Sequence, residues 1–199
     1  MATAPTTPVN DRRAAILAAA GRLFAQQGVA ATSVREIAHE VGILSGSLYH
    51  HFRSKDDLVE ELVLTYLDDI VAHYEAVLAE GRPPVAALEG LVRASLDAVQ
   101  RHPHATEIYQ NDAAHLRRLP RGEEITAAGR RVPEIWLDVI EQGIAAGQLR
   151  DDIPPRIFYN LLRDALWRTV QWFDPERGHG WSELGDDVLA VYLEGFAVR

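Results

Sequence analysis

The sequence predicts an all-α protein of about nine helices, a small three-helix head followed by a larger helical body. Three observations predict it. Apolar residues recur at helical spacing from about residue 11 to residue 197, with no strand-like alternation and no internal repeat. Glycines and prolines cut that pattern into helix-length pieces. The charge is divided as well: residues 1–55 hold six basic and three acidic side chains, a net +3, whereas the remainder carries −12 of the overall −9.

Residues 1–10 are rich in Ala, Thr and Pro without an apolar core, which reads as a mobile arm rather than a signal peptide. The first helix runs from Asp11 to Gln27 on a stripe of Ile16, Leu17, Ala20, Leu23 and Phe24, and Gly28 stops it. Ser33 followed by Glu36 is a capping box opening the second helix, about 33–41, with Val34, Ile37, Ala38 and Val41 on one face. Gly42 closes that helix and Ser45 opens a third, about 45–51, on which Leu48 and Phe52 face inward. Ser45, Gly46, Ser47, Tyr49 and His50 are left outward. This is helix-turn-helix geometry, whose second helix lies in a DNA major groove. The positive head fits that partner, since phosphate attraction needs positive charge only where protein meets DNA.

The fourth helix, about 55–80, starts with Asp56 and Asp57 at its positive end and is long enough to connect head and body. Gly81 to Pro84 ends it. The fifth runs over about 84–101 until His102-Pro103, the sixth over about 104–118 and the seventh over about 122–146, with a kink or restart expected at Pro133. After a turn from Gly147 to Pro155 come the eighth (about 155–173) and ninth (about 181–197), parted by Asp174 to Gly178. The division is therefore an arm at 1–10, a head at 11–55 and a body at 56–199. The last two helices carry apolar residues over an arc too wide for one buried face, which predicts a homodimer through a four-helix interface.

At 199 residues and 47 % hydrophobic content the chain can bury a sizeable core, and no apolar run is long enough to span a bilayer. Cysteine is absent. No nucleophile elbow, phosphate loop or dinucleotide glycine motif appears, so nothing positive supports an enzyme. His102-Pro103-His104, with His115 further on, lacks carboxylates at metal-ligand spacing, and neither a metal nor a cofactor is expected. The body does carry polar and aromatic residues on apolar helices: Tyr109 and Gln110 on the sixth, Trp136 on the seventh, and Arg163, Trp167 and Gln171 at i, i+4, i+8 on the eighth. A tryptophan between an arginine and an amide suits a large, partly flat anionic ligand. The alternative is that Arg163 pairs internally with Asp164 or Asp112 and Trp167 fills the core.

Ser33-Val-Arg-Glu-Ile-Ala38, Gly42-Ile-Leu-Ser-Gly-Ser-Leu-Tyr-His-His-Phe52 and Lys55 resemble the DNA-binding signature of the TetR family of bacterial repressors. The resemblance implies a cytoplasmic repressor that binds a palindromic operator as a dimer and is released by a small-molecule inducer. It implies base contacts from Ser45, Gly46, Ser47 and His50. Phosphate contacts would come from Tyr49, His51 and Lys55, with Ser33 and Arg35 gripping the backbone from the preceding helix. A narrower resemblance rests on Ile108 to Ala113, Trp136 to Ile144 and Arg163 to Trp167, and it points to the KstR-type repressors of actinobacterial steroid catabolism. It covers nearly the whole chain, least well at Pro120–Pro133 and 174–182. It implies a coenzyme A thioester of a steroid-ring degradation intermediate as inducer. Two other readings compete: a repressor of an efflux gene that senses an aromatic drug, and a helical enzyme or carrier with a non-functional DNA head.

Overall fold

The computed structural model describes the backbone of residues 9–196 and the side chains of 12–194. Most of the arm expected over 1–10 lies outside the described residues. The first helix, α1 (Val9–Gln27), takes in Val9 and Asn10. The head follows as α2 (Val34–Glu40) and α3 (Ser45–Leu48), and the connector as α4 (Lys55–Ala79). Gly28 and Gly42 stop α1 and α2 with positive φ, +85° and +71°. The capping box forms, with the Ser33 hydroxyl accepting from Glu36 N–H and the Glu36 carboxylate from Ser33 N–H. Ile16, Ala20, Phe24, Ile37, Ala38, Leu48 and Phe52 close over the head's core.

The body contains α5 (Pro84–Arg101), α6 (Pro103–Asn111), α7 (Ala113–Leu116), α8 (Gly122–Ala145), α9 (Pro155–Trp167), α10 (Thr169–Trp172) and α11 (Trp181–Phe196). Two expected helices are thus each broken in two, at Asp112 and at Arg168. Of the kink or restart expected at Pro133, the restart is absent: α8 runs through it, and the missing N–H leaves the Gly129 carbonyl without its helical partner. Among the described residues no helix is long and apolar enough to cross a membrane.

The connector α4 is held to both the head and the body. Toward the head, Arg13 of α1 pairs with Glu61 and lies over the Phe52 ring at 4.6 Å. Toward the body, the buried carboxylate of Glu60 accepts from Arg121 N–H at 2.7 Å, satisfying an amide at the start of α8. Further along, Asp69 accepts from Arg101 (2.6 Å) and bonds to His102 (3.1 Å). Tyr74 and Ser95 share a buried hydrogen bond of 2.6 Å.

Tyr66, at the middle of α4, is fully buried and its hydroxyl makes no well-formed hydrogen bond among the described residues; its polar neighbour Thr106 donates instead to the His102 carbonyl. Burial pushes the phenol's pKa well above its ordinary value. A buried unpaired hydroxyl costs stability, so Tyr66→Phe is expected to stabilise the fold by about 1 kcal/mol. Urea denaturation checks this, and a clear loss of stability would mean the hydroxyl has a partner after all.

Candidate DNA interface and ligand pocket

On the head, the residues singled out from the sequence are exposed or half-buried. Ser33, Arg35, Gly46, Tyr49 and His50 are exposed, and Ser45, Ser47 and His51 half-buried, while Leu48 and Phe52 point into the core. Nothing lies within 4 Å of where a Gly46 Cβ would stand, and its φ is not positive. The fold therefore has no need of glycine there. Gly46→Ala is expected to stabilise the head by about 0.5–1 kcal/mol, by removing backbone freedom. If Gly46 meets base edges, as the family resemblance implies, the added methyl group should nonetheless weaken operator binding. A thermal melt beside a gel shift checks both halves, and unchanged operator affinity would put Gly46 off the DNA.

Lys55 is placed differently from a free surface cation. Its ammonium donates to the carbonyls of Val29 (2.7 Å) and Thr32 (3.0 Å), tying the start of α4 to the loop between α1 and α2. Thr32 anchors the same loop by donating to Gly28 O at 2.9 Å. Of the three lysine N–H donors, one remains for a phosphate.

In the body, a cavity of about 460 Å³ opens between α6–α7, α8 and α9–α10. That volume is within the range of about 300–1,000 Å³ usual for small-molecule sites. Tyr109 and Trp167, Leu116, Ile125 and Pro133 supply apolar wall, and Gln110 and Thr126 the polar groups. Tyr109 and Trp167 meet edge to face, centroids 6.0 Å apart. A Cβ on Gly129 would collide with the Tyr109 hydroxyl, so glycine there is what admits the ring. Gln110 donates to the Trp167 carbonyl at 2.9 Å, an acceptor left over where the chain breaks at Arg168.

Four arginines border the cavity: Arg117 and Arg130 from α7–α8, and Arg163 and Arg168 from α9–α10. Asp164 is the one acid among the lining residues, and it pairs with Arg163 at 2.7 Å. The internal pairing weighed from the sequence is therefore present, and Arg163 also donates to Asn160 and lies over the Tyr159 ring. No carboxylate partner for Arg117, Arg130 or Arg168 is seen among the described residues. In a body of net charge −12, this opening carries a local excess of three positive charges.

Four of the six expected ligand residues, Tyr109, Gln110, Arg163 and Trp167, line this cavity. Trp136 does not: it is buried in the core with Tyr74 and Tyr159 around it. Gln171 does not either, because the break at Arg168 takes α10 out of register and leaves Gln171 exposed. Arg117 and Arg130 escaped the sequence reading, since an arginine on another helix looks like any solvated residue until the helices are assembled. His102 is engaged with Asp69, and no group of three or more His, Asp or Glu placed to hold a metal exists among the described residues.

Known proteins share both parts. Residues 16–62 match the family described as bacterial regulatory proteins, tetR family, and residues 81–196 the tetracyclin repressor-like C-terminal domain. The HTH-type transcriptional repressor KstR2 of Mycobacterium tuberculosis is 38 % identical over 187 residues, 94 % of each chain. Its namesake in Mycolicibacterium smegmatis is 37 % identical over 195 residues, 96 % of this chain and 95 % of that one. The solved structure of the ketosteroid transcriptional regulator KstR2 of Mycobacterium tuberculosis superposes with a TM-score of 0.90 at 38 % identity, covering 96 % of this chain and 97 % of that one. These relatives are repressors and not enzymes, which removes the reading as an enzyme or carrier with a non-functional head. From its head, its body and its relatives alike, this chain belongs to the TetR family of transcriptional repressors.

Proposed function

We propose that this repressor binds a palindromic operator in the bacterial cytoplasm as a homodimer, and that a coenzyme A thioester of a steroid-ring degradation intermediate releases it. The observation that carries the ligand reading is the positive excess at the mouth of an aromatic-walled cavity in an acidic body. A CoA thioester divides the same way, with an apolar acyl part and a phosphate-bearing remainder. Trp167 and Tyr109 pack on the acyl part, and Arg117, Arg130 and Arg168 meet phosphates through charge-assisted hydrogen bonds. Arg163, already held by Asp164, is the fourth donor. The kinship to a ketosteroid regulator supports a steroid-derived acyl group. An efflux repressor sensing a cationic aromatic drug is disfavoured by the same charge.

On the DNA side, Ser45, Gly46, Ser47 and His50 meet base edges, while Tyr49, His51 and the free N–H of Lys55 meet phosphates, with Ser33 and Arg35 on the backbone from α2. The dimer forms through α9 and α11. Release follows when the ligand favours a spacing of the two heads that no longer matches successive major grooves, through its differential affinity for that state. The route from cavity to connector is short: Trp167, Tyr109 and Tyr66 follow one another at centroid distances of 6.0 and 6.1 Å, and Tyr66 belongs to α4.

Calorimetry with the thioester, its free acid and CoA alone tests the ligand. Submillimolar binding by the thioester only, together with release of operator DNA, is expected. Equal binding of thioester and free acid would sink the CoA part of the proposal.

A further inference from the structure

Leu44 is the most exposed of the large apolar side chains seen outside the core, at 78 %. A single exposed leucine is ordinary on a protein surface. Its position is not. Leu44 is the residue from which α3 starts, where Ser, Thr, Asp or Asn would satisfy a free amide. The head follows that rule elsewhere: Ser33 caps α2 and Ser54 caps α4 through their hydroxyls. Only α3 of these three begins without a side-chain cap. At one and the same place, then, the head leaves a helix start without a side-chain cap and a leucine exposed.

Leu44 precedes Ser45, Gly46 and Ser47, so whatever α3 approaches, Leu44 approaches too. In a major groove each base pair presents hydrogen-bond donors and acceptors, and the one large apolar group is the C5-methyl of thymine. We infer that Leu44 reads a thymine methyl in each half of the operator, making it a specificity-determining residue for that base pair. This rests on α3 lying in the major groove. The neighbouring serines are permissive readers, whereas an apolar side chain discriminates against any base pair that puts only polar edges beneath it. The missing cap is then part of the recognition surface, since a serine at 44 would stabilise the head and leave the methyl uncovered.

The test replaces thymidine with deoxyuridine, one position at a time in both half-sites of a selected operator, which removes the methyl and nothing else. Binding of the full-length protein is measured by gel shift. At one position, wild type should lose about fourfold per half-site, or roughly fifteen-fold for the two, from the uncovered methyl. Leu44→Ala, weaker on the thymidine operator, should bind the two versions alike. Leu44→Ser should do the same while melting at a higher temperature than wild type. A protein that holds its operator but shows no deoxyuridine penalty depending on Leu44 overturns this inference alone. No specific operator binding under any condition overturns the placement of α3 as well.

Discussion

Leu161→Asp is expected to give a folded monomer that no longer holds its operator. Ile157 and Leu161 stand one turn apart on α9 and are each at least half exposed, and Val191 on α11 is 72 % exposed. The two helices are already locked together, by Tyr192 donating to the Leu161 carbonyl at 3.1 Å and by the Phe158–Tyr192 ring contact. Their outer apolar surface is therefore preformed, and in the proposed dimer it is the face a second subunit covers. A carboxylate there meets its own copy across a twofold axis and desolvates without a partner. The subunit itself should be little affected, because surface changes fall within about 0.5 kcal/mol. Losing the second head converts two linked contacts into one and costs about 10²–10⁴ in operator affinity. Sedimentation and gel shift read the two effects. A dimer that persists at micromolar concentration would place the interface elsewhere.

The second large effect concerns the pocket. Replacing Arg130 and Arg168 together by glutamate turns the excess of three positive charges into a net −1, since two arginines then face three acids. Each charge-assisted hydrogen bond lost is worth about 1.5–3 kcal/mol, so the CoA thioester should bind roughly 10²–10⁴-fold more weakly. Both side chains are exposed, and the variant should fold and bind operator as before. The expected phenotype is a repressor that stays on its DNA at inducer concentrations that free the wild type. Release at the ordinary concentration would mean that the anionic part of the ligand lies at another surface.

Helix ends were readable wherever the chain marks them chemically. Ser33 with Glu36, and Gly28, Gly42, Gly81 and Gly147 with positive φ, sit where local rules put them. The breaks at Asp112 and Arg168 carry no such mark. At Arg168 the cause is tertiary, since α10 packs against α5 and α6, and the misplaced Gln171 follows directly from that unmarked break. Pro133 is the converse: a helix breaker by local rules, accommodated because its neighbours in α8 are buried against α4, α5 and α9. Trp136 and Trp167 show why the pocket was only partly legible. Both are aromatics at helical spacing, and which of them faces a cavity depends on the glycine at 129 and on where α6 ends. Lys55 stood out as the only lysine, but its inward turn onto two carbonyls is a property of the loop it holds.

That inward turn has a mechanical meaning. Through Lys55 and the Arg13–Glu61 pair, the head is fastened to the first two turns of α4 at separated points, so head and handle swing as one piece. Such a head has no wrist. Two of them fixed to one dimeric body behave as calipers with rigid jaws, set to a distance by the body. One base pair inserted at the operator's centre moves a half-site by about 3.4 Å and turns it by about 35°. Jaws without a wrist cannot follow that turn, so the length of the spacer selects the operator alongside its letters, and in the proposed mechanism a ligand that resets the calipers frees every correctly spelled site at once.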